Sequence, residues 1–263
     1  MHRKSVIILV VSREILEGVV VDKNAAFMAN RIDDLGYRVR SIQVVDRVEG
    51  EMTGAIRWAL EQRPTFVIVS GGLGASFDDN TRACVAKATG LPLREDPKAL
   101  EHVGNSYRRL FARGVVEDAE INADRARMAL LPAGADSYEN PIGPGPAVKL
   151  GVGDTTLFLL PGVPAEMQRI FLKWVVPELS ATGPSTVRGE RHVDYHGQDE
   201  SAISSTLDRI ARELPNVSFR TRGSSVTSGR DIRITLVAEH SDPTALEEIL
   251  DGAEQRLRQE LAI

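Results

Sequence analysis

Predicted strands and helices alternate along the first third of the chain, and this alternation limits the fold more than any other feature. Strands rich in Val and Ile are predicted at residues 5–12, 39–45 and 66–70. Segments with apolar side chains at helical spacing follow them, at residues 24–35, 52–62 and 79–89. Continuous apolar strands are typical of a parallel sheet whose two faces are covered by helices. The pattern predicts an α/β domain with three layers, α/β/α, around a mostly parallel sheet.

The rest of the chain divides at a polar stretch. Before it we predict helices at residues 96–113 and 119–131, a turn-rich region up to residue 151, a strand at 155–160 and a helix after Pro164. Residues 180–189 are polar and contain Gly and Pro, which indicates a domain boundary. Residues 190–263 then read as β-α-β-β-α. We therefore predict a first domain at 1–180 and a small α+β domain at 190–263.

Composition limits the classes of function. The formal net charge is −5 and the sequence pI is about 5.6, which argues against a general nucleic-acid binder. No apolar run is long enough to span a membrane, and the apolar start reads as a buried strand rather than a signal peptide. Cys84 is the only cysteine, so no intrachain disulfide is possible. We expect a cytoplasmic protein without a membrane partner.

A glycine-rich loop follows the third predicted strand, in the stretch "SGGLGASFDD". Ligands of open parallel sheets bind at the carboxyl ends of the strands, and glycines let backbone N–H groups approach a ligand closely. We expect Gly71, Gly72 and Gly74 to bind phosphate through these N–H groups, next to a helix N-terminus. The spacing matches neither a Walker loop nor the dinucleotide motif G-x-G-x-x-G.

Two aspartates, Asp78 and Asp79, close this loop. One interpretation is that one of them caps the following helix through its side chain. The other is that they hold a divalent cation that bridges to phosphate oxygens, because Mg²⁺ is usually bound by one or two carboxylates plus phosphate and water. Asp46 also follows a predicted strand and is a second candidate, with a solvated turn aspartate as the alternative.

Four ordered motifs resemble one family. "EILEGVVVDKNA", "SGGLGASFDDNT", "NPIGPGPA" and "LPGVPAEM" are similar to motifs of the amino-terminal domain of CinA-type proteins (competence/damage-inducible protein A), which has the molybdopterin-binding fold. Further on, Gly197, Glu200 and Ser201 resemble the start of that family's linking domain, which is KH-like in shape. The G-x-x-G loop of RNA-binding KH modules is absent, so we expect no nucleic-acid partner. Longer CinA-type proteins carry an amidohydrolase domain for nicotinamide mononucleotide, which this sequence does not contain.

The resemblance implies a pyrophosphohydrolase of ADP-ribose-like dinucleotides that depends on Mg²⁺, Mn²⁺ or Co²⁺. It implies that Asp78 and Asp79 hold the metal or position water, with Asp46 as a further catalytic candidate. It also implies a homo-oligomer, a dimer or a trimer. The substrate-binding residues that it implies are Gly71, Gly72, Gly74, Ser76, Thr81, Glu14, Asn24, Gly143, Gly145 and Glu166.

Several of these assignments keep alternatives open. Asn24 could cap its helix instead of contacting a ligand, and Glu166 lies in a first helical turn where the helix dipole already favours a carboxylate. The chain also departs from the family pattern at Ser12, Arg13 and Ala147, and Arg13 could either reach an anion or block the pocket. Two other functions therefore stay open: a molybdopterin-binding or adenylylating protein of molybdenum cofactor biosynthesis, and a non-catalytic nucleotide-binding protein.

Overall fold

A computed structural model describes residues 4–183, 187–196, 200–223 and 231–263. Contacts divide the chain into two compact units, Met1–Gly183 and Pro184–Ile263, which we call unit 1 and unit 2. The strands of unit 1 are β1 (Ser5–Val11), β2 (Arg38–Val45), β3 (Phe66–Ser70), β4 (Leu93–Glu95), β5 (Leu130–Pro132), β6 (Asp136–Tyr138), β7 (Ala147–Val152) and β8 (Thr155–Leu160). Its helices are α1 (Arg13–Leu16), α2 (Asn24–Asp34), α3 (Glu49–Glu61), α4 (Thr81–Thr89), α5 (Pro97–Ala112), α6 (Ala123–Ala126), α7 (Pro164–Ile170) and α8 (Val176–Thr182).

Unit 1 contains a six-stranded sheet in the order β2-β1-β3-β8-β7-β6. The first four strands of this order are parallel, and β7 and β6 are antiparallel to their neighbours. The mostly parallel α/β sheet predicted from the sequence is confirmed. Because the parallel strands all run the same way, the chain leaves β1, β3 and β8 at one edge of the sheet, and this edge is where a ligand is expected.

The sheet has an apolar core on each face. Alternate residues of β1 belong to different cores, with Ile7 and Leu9 on one face and Val6 and Ile8 on the other. Helices α3 and α4 pack on the first face, and helices α2 and α7 pack on the second. Each fully buried side chain of this kind contributes about 1.5–3 kcal/mol, so a rigid three-layer frame supports the loops at the sheet edge.

The region between α5 and β8 differs from the sequence prediction. The helix predicted at 119–131 is wrong: α6 has four residues, a 3₁₀ turn follows at Arg127–Ala129, and β5 then pairs antiparallel with β4. The turn-rich region also contains β6 and β7, which extend the main sheet. Both differences have one cause, because strands of three to six residues depend on distant partners more than on local periodicity.

Unit 2 is an α+β unit. Its strands β9 (Val187–His196), β10 (Val217–Gly223) and β11 (Asp231–His240) form an antiparallel sheet in the order β10-β11-β9. Its helices are α9 (Glu200–Glu213) and α10 (Pro243–Leu261), and their apolar faces share a core with the sheet. Gly197, part of the family resemblance, lies outside the described residues.

The sequence predicts no membrane-spanning segment, and the helices can be compared with this prediction. Among the residues that the structure describes, no helix combines the length and the apolar character needed to cross a bilayer.

Candidate functional site

One pocket of about 960 Å³ lies where β1, β3 and β8 end. The segments that follow these three strands line it, together with Arg47 after β2 and with Pro144 and Gly145 from the loop between β6 and β7. Of the residues predicted from the sequence, those that line it are Glu14, Asn24, Gly71, Gly72, Gly74, Ser76, Asp79, Gly145 and Glu166. Asp46, Asp78, Thr81 and Gly143 lie next to these residues in the chain or in space but do not line the pocket.

The glycine loop after β3 is bent by two residues with positive φ, Gly71 at 111° and Gly72 at 69°. A Cβ at Gly72 would overlap the hydroxyl oxygen of Thr81. Thr81 is fully buried, and its hydroxyl donates to the carbonyl oxygen of Gly71 at 2.8 Å. Thr81 therefore stabilises the shape of the loop from the protein interior. The sequence predicted a ligand contact for Thr81, but it does not line the pocket.

Two arginines bind the carbonyl side of the same loop. Arg82 on α4 is 3% exposed and donates to the carbonyl oxygens of Leu73 at 2.9 Å and Gly74 at 3.3 Å. Arg127 donates to the carbonyl oxygens of Ala75 and Ser76. Burial lowers the pKa of Arg82 to about 10, so it stays a cation at neutral pH.

This arrangement leaves the donor side of the loop available. Within the described chain, no acceptor is found for the backbone N–H groups of Gly72, Leu73 and Gly74, and all three residues line the pocket. The loop thus combines backbone N–H groups that have no acceptor among the described residues with two fixed positive charges on its carbonyl oxygens. Both features favour an anion.

Asp79 faces this loop. Its Oδ2 accepts a hydrogen bond from the backbone N–H of Ser76 at 3.1 Å, and its side chain is 11% exposed. The helix-capping alternative for Asp78 and Asp79 is wrong, because Asn80 is the N-cap of α4 and no side-chain capping bond forms there. Asp79 instead closes the glycine loop on itself.

Arg47, which the sequence analysis did not single out, contacts three carboxylates. Its Nη1 lies 3.1 Å from Asp78 Oδ2 and 3.5 Å from Asp79 Oδ1, and its Nη2 lies 3.5 Å from Glu14 Oε1. Hydrogen bonds from the Glu14 backbone and from Ser12, together with the charge of Arg47, lower the pKa of Glu14. One guanidinium therefore offsets part of the negative charge of these three carboxylates.

Asp46 forms a separate pair with Arg13. Arg13 Nε donates to Asp46 Oδ1 at 3.1 Å, and the backbone N–H of Arg47 donates to the same oxygen at 2.6 Å. These bonds, the backbone one above all, lower the pKa of Asp46. Arg13 is 53% exposed and does not line the pocket, so it does not block it.

Asn24 joins two of the loops. Its Nδ2 donates to the carbonyl oxygen of Gly162 at 2.8 Å and to Ser70 Oγ at 3.3 Å. Asn24 does not cap α2 with its side chain; Asp22 Oδ1 accepts from the backbone N–H groups of Asn24 and Ala25 instead. Asn24 Oδ1 is buried without a hydrogen-bond partner among the described residues. Because Asn24 lines the pocket, this oxygen is a candidate acceptor for a ligand N–H or O–H.

Glu166 forms the opposite wall with the loop between β6 and β7. Its Oε2 accepts from Asn140 Nδ2 at 2.7 Å, and burial raises the pKa of its carboxyl group. The buried Asn140 also accepts from the backbone N–H of Gly143 and donates to the carbonyl oxygen of Gly145. A Cβ at Gly145 would lie 2.8 Å from the carbonyl oxygen of Leu73, so the two loops pack backbone to backbone.

The carboxylates that the family resemblance assigns to a divalent cation contact an arginine. Among the described residues, no group of three or more His, Cys, Asp or Glu side chains could hold a metal ion. A site for Mg²⁺ usually takes one or two protein carboxylates, with water and phosphate as the other ligands. Glu14, Asp78 and Asp79 converge on Arg47 instead.

The sequence reasoning missed four residues that build this site: Arg47, Arg82, Arg127 and Asn140. Asn140 begins the quoted motif "NPIGPGPA", and Arg82 follows the DD-x-T part of the loop motif, so both carried a signal. Arg47 and Arg127 carried none, because only the fold brings them to the loop from 31 and 52 residues away.

Comparisons with known proteins agree with this architecture. The family described as "Probable molybdopterin binding domain" matches residues 7–181. A protein of Pyrococcus abyssi is 32% identical over 249 residues, 95% of either chain. A CinA-like protein of Myxococcus xanthus is 31% identical over 252 residues, 94% of this chain and 57% of that protein.

A solved structure of a CinA protein is also similar to this chain. The crystal structure of the protein CinA, of unknown function, from Thermoplasma acidophilum is 36% identical to this chain, with a TM-score of 0.59. The match covers 65% of this chain and 95% of the CinA chain. The chain therefore belongs to the molybdopterin-binding-domain family, and within it to the CinA-type proteins.

Proposed function

We propose that the pocket of unit 1 binds a small phosphorylated nucleotide and hydrolyses its pyrophosphate bond, with ADP-ribose-like dinucleotides as the substrate class. The observation that carries this proposal is the position of Arg82 and Arg127. They take up the carbonyl oxygens of the glycine loop and leave the N–H groups of Gly72, Leu73 and Gly74 for an anion. The family relationship supports a nucleotide or pterin as the ligand.

The rest of the pocket suits the remainder of such a ligand. A pocket of about 960 Å³ is at the upper end of the range for small-molecule sites, which fits a dinucleotide. Val19, Val20 and Val21 line it and are more than half exposed, which gives a planar ring an apolar surface. Asn24 Oδ1 offers an acceptor for a ring N–H or a ribose hydroxyl.

Hydrolysis requires a water molecule placed against the phosphorus and stabilisation of the charge on the phosphoryl oxygens. Asp79 is the candidate for positioning the water, because it lines the pocket beside the loop. The loop N–H groups and the charges of Arg82 and Arg127 would stabilise the phosphoryl oxygens. No step is assigned to a metal, since Arg47 contacts Glu14, Asp78 and Asp79.

Incubation with ADP-ribose, with and without Mg²⁺, Mn²⁺ or Co²⁺, tests the proposal through AMP release. We expect Asp79→Asn to reduce kcat by about 10²- to 10⁴-fold, the range for a positioned acid or base. Asp34→Asn is the control, because Asp34 is exposed on α2 and does not line the pocket, so its effect should be much smaller.

The outcomes separate the alternatives. Binding of ADP-ribose without turnover under all metal conditions would favour a non-catalytic nucleotide-binding protein. Retention of molybdopterin in preference to ADP-ribose would favour the pterin-binding or adenylylating function. The pterin-binding alternative is supported by the description of the family, "Probable molybdopterin binding domain".

A further inference from the structure

Arg47 contacts the carboxylates to which the sequence assigns a metal ion. Its side chain is 22% exposed and reaches Glu14, Asp78 and Asp79 at 3.1–3.5 Å. These are the carboxylates on which a divalent cation at the end of β3 would depend. The guanidinium lies between them, and a metal ion bound there would meet both its bulk and its positive charge.

Arginines offset part of the negative charge in this region. Glu14, Asp46, Asp78 and Asp79 lie at this edge of the sheet with Arg13, Arg47, Arg82 and Arg127. Asp22, Lys23 and Glu166 also line the pocket. A divalent cation would therefore enter a region that already holds several fixed cations, and it would lose part of its hydration shell there.

We infer that Arg47 is a tethered counter-cation that fills the cation position of this pocket and competes with free divalent metal ions for Asp78, Asp79 and Glu14. The inference deepens the proposed function, on which it rests for the role of the pocket. It follows that a metal ion binds these carboxylates only when Arg47 no longer contacts them.

A diphosphate ligand can compete with the carboxylates for Arg47. The planar guanidinium fork binds phosphate with the same bidentate geometry as carboxylate. Arg47 lines the pocket together with Gly72 and Gly74, the loop residues expected to bind the phosphates. A bound diphosphate would therefore draw Arg47 from the carboxylates to its phosphate oxygens.

Binding of Mn²⁺ alone tests the inference without any turnover. The free Mn²⁺ is measured by electron paramagnetic resonance with the full chain as wild type, Arg47→Gln and Arg13→Gln. Both variants lose one positive charge, but Arg13 pairs with Asp46 and does not line the pocket. We expect Arg47→Gln to bind Mn²⁺ at least about tenfold more tightly than wild type, and Arg13→Gln to stay within about threefold, since nearby unpaired carboxylates gain most from a cation.

Three results would overturn the inference. They are tight binding of Mn²⁺ to the wild type without nucleotide, equal affinities of the wild type and Arg47→Gln, and an equal gain in Arg13→Gln. Arg47→Met removes the charge and keeps an unbranched apolar stem, so it should show the same gain and provides a second variant if Arg47→Gln does not fold by circular dichroism. Arg47→Lys keeps the charge and should show no gain.

A parallel titration with ADP-ribose in Mn²⁺ keeps the two proposals apart. If ADP-ribose does not bind at all, the proposed function fails, and the Mn²⁺ affinities still decide the role of Arg47. If ADP-ribose binds and Mn²⁺ affinity is unchanged in Arg47→Gln, the inference about Arg47 fails and the proposed function stands.

Discussion

Glu166 shows how one partly buried carboxyl group links the pocket wall to stability. It lies in the first turn of α7 against Asn140, and burial raises its pKa above the ordinary value of 4.5, while the hydrogen bond from Asn140 opposes the shift. A carboxyl group with a raised pKa binds more protons in the folded than in the unfolded state. The folded state therefore loses stability as the pH rises from 4.5 through the pKa of folded Glu166.

We expect Glu166→Gln to be more stable than wild type at pH 8. The amide keeps an acceptor for Asn140 but carries no charge to desolvate, and the gain is about 1.4 kcal/mol for each unit of pKa difference. The advantage should shrink as the pH falls towards 4.5. Urea unfolding of both proteins across this range measures it. Glu101→Gln, on the exposed face of α5, makes the same charge change and should show no such trend.

The loop between β3 and α4 is the element that depends most on its exact backbone shape. Gly72 in this loop and Gly90 at the end of α4 have almost the same φ, 69° and 72°, but their surroundings differ. A Cβ at Gly90 would meet nothing within 4 Å, whereas a Cβ at Gly72 would overlap Thr81 Oγ1. The two glycines thus separate the effect of backbone strain from the effect of crowding.

We predict that Gly90→Ala costs about 1–2 kcal/mol, the usual penalty for a left-handed residue with a side chain. Gly72→Ala should cost clearly more, because Thr81 must also give up its hydrogen bond to Gly71. Urea unfolding compares the two variants directly. Equal losses would mean that the loop can move away from Thr81 freely, against the packing described for it.

At the scale of the whole molecule, the two units have separate cores. The cores on the two faces of the main sheet consist of unit 1 residues, and the core that includes Val193, Leu236 and Leu250 consists of unit 2 residues. A unit with its own core is expected to fold alone. The pocket is lined only by residues of unit 1.

We therefore expect residues 1–183, produced alone, to fold cooperatively and to bind ADP-ribose with the affinity of the full chain within about threefold. Circular dichroism with thermal unfolding tests the fold, and calorimetry tests the binding. A folded segment that binds much more weakly would show that unit 2 contributes to ligand binding in solution, and a segment that does not fold would show that unit 1 depends on unit 2.

The order of strands and helices in the first third of the chain, and the glycine loop with its aspartates, follow from local pattern alone. Buried strands and amphipathic helices have periodicities set by neighbouring residues, so β3 and α2 could be placed within a residue or two. The partners of polar side chains are not local. Arg47 meets Asp78 across 31 residues, and Asn24 meets Gly162 across 138. Only the folded sheet edge decides that an arginine, rather than an open space for a metal, lies between the carboxylates, because charge pairing depends on distances that no spacing in the chain encodes.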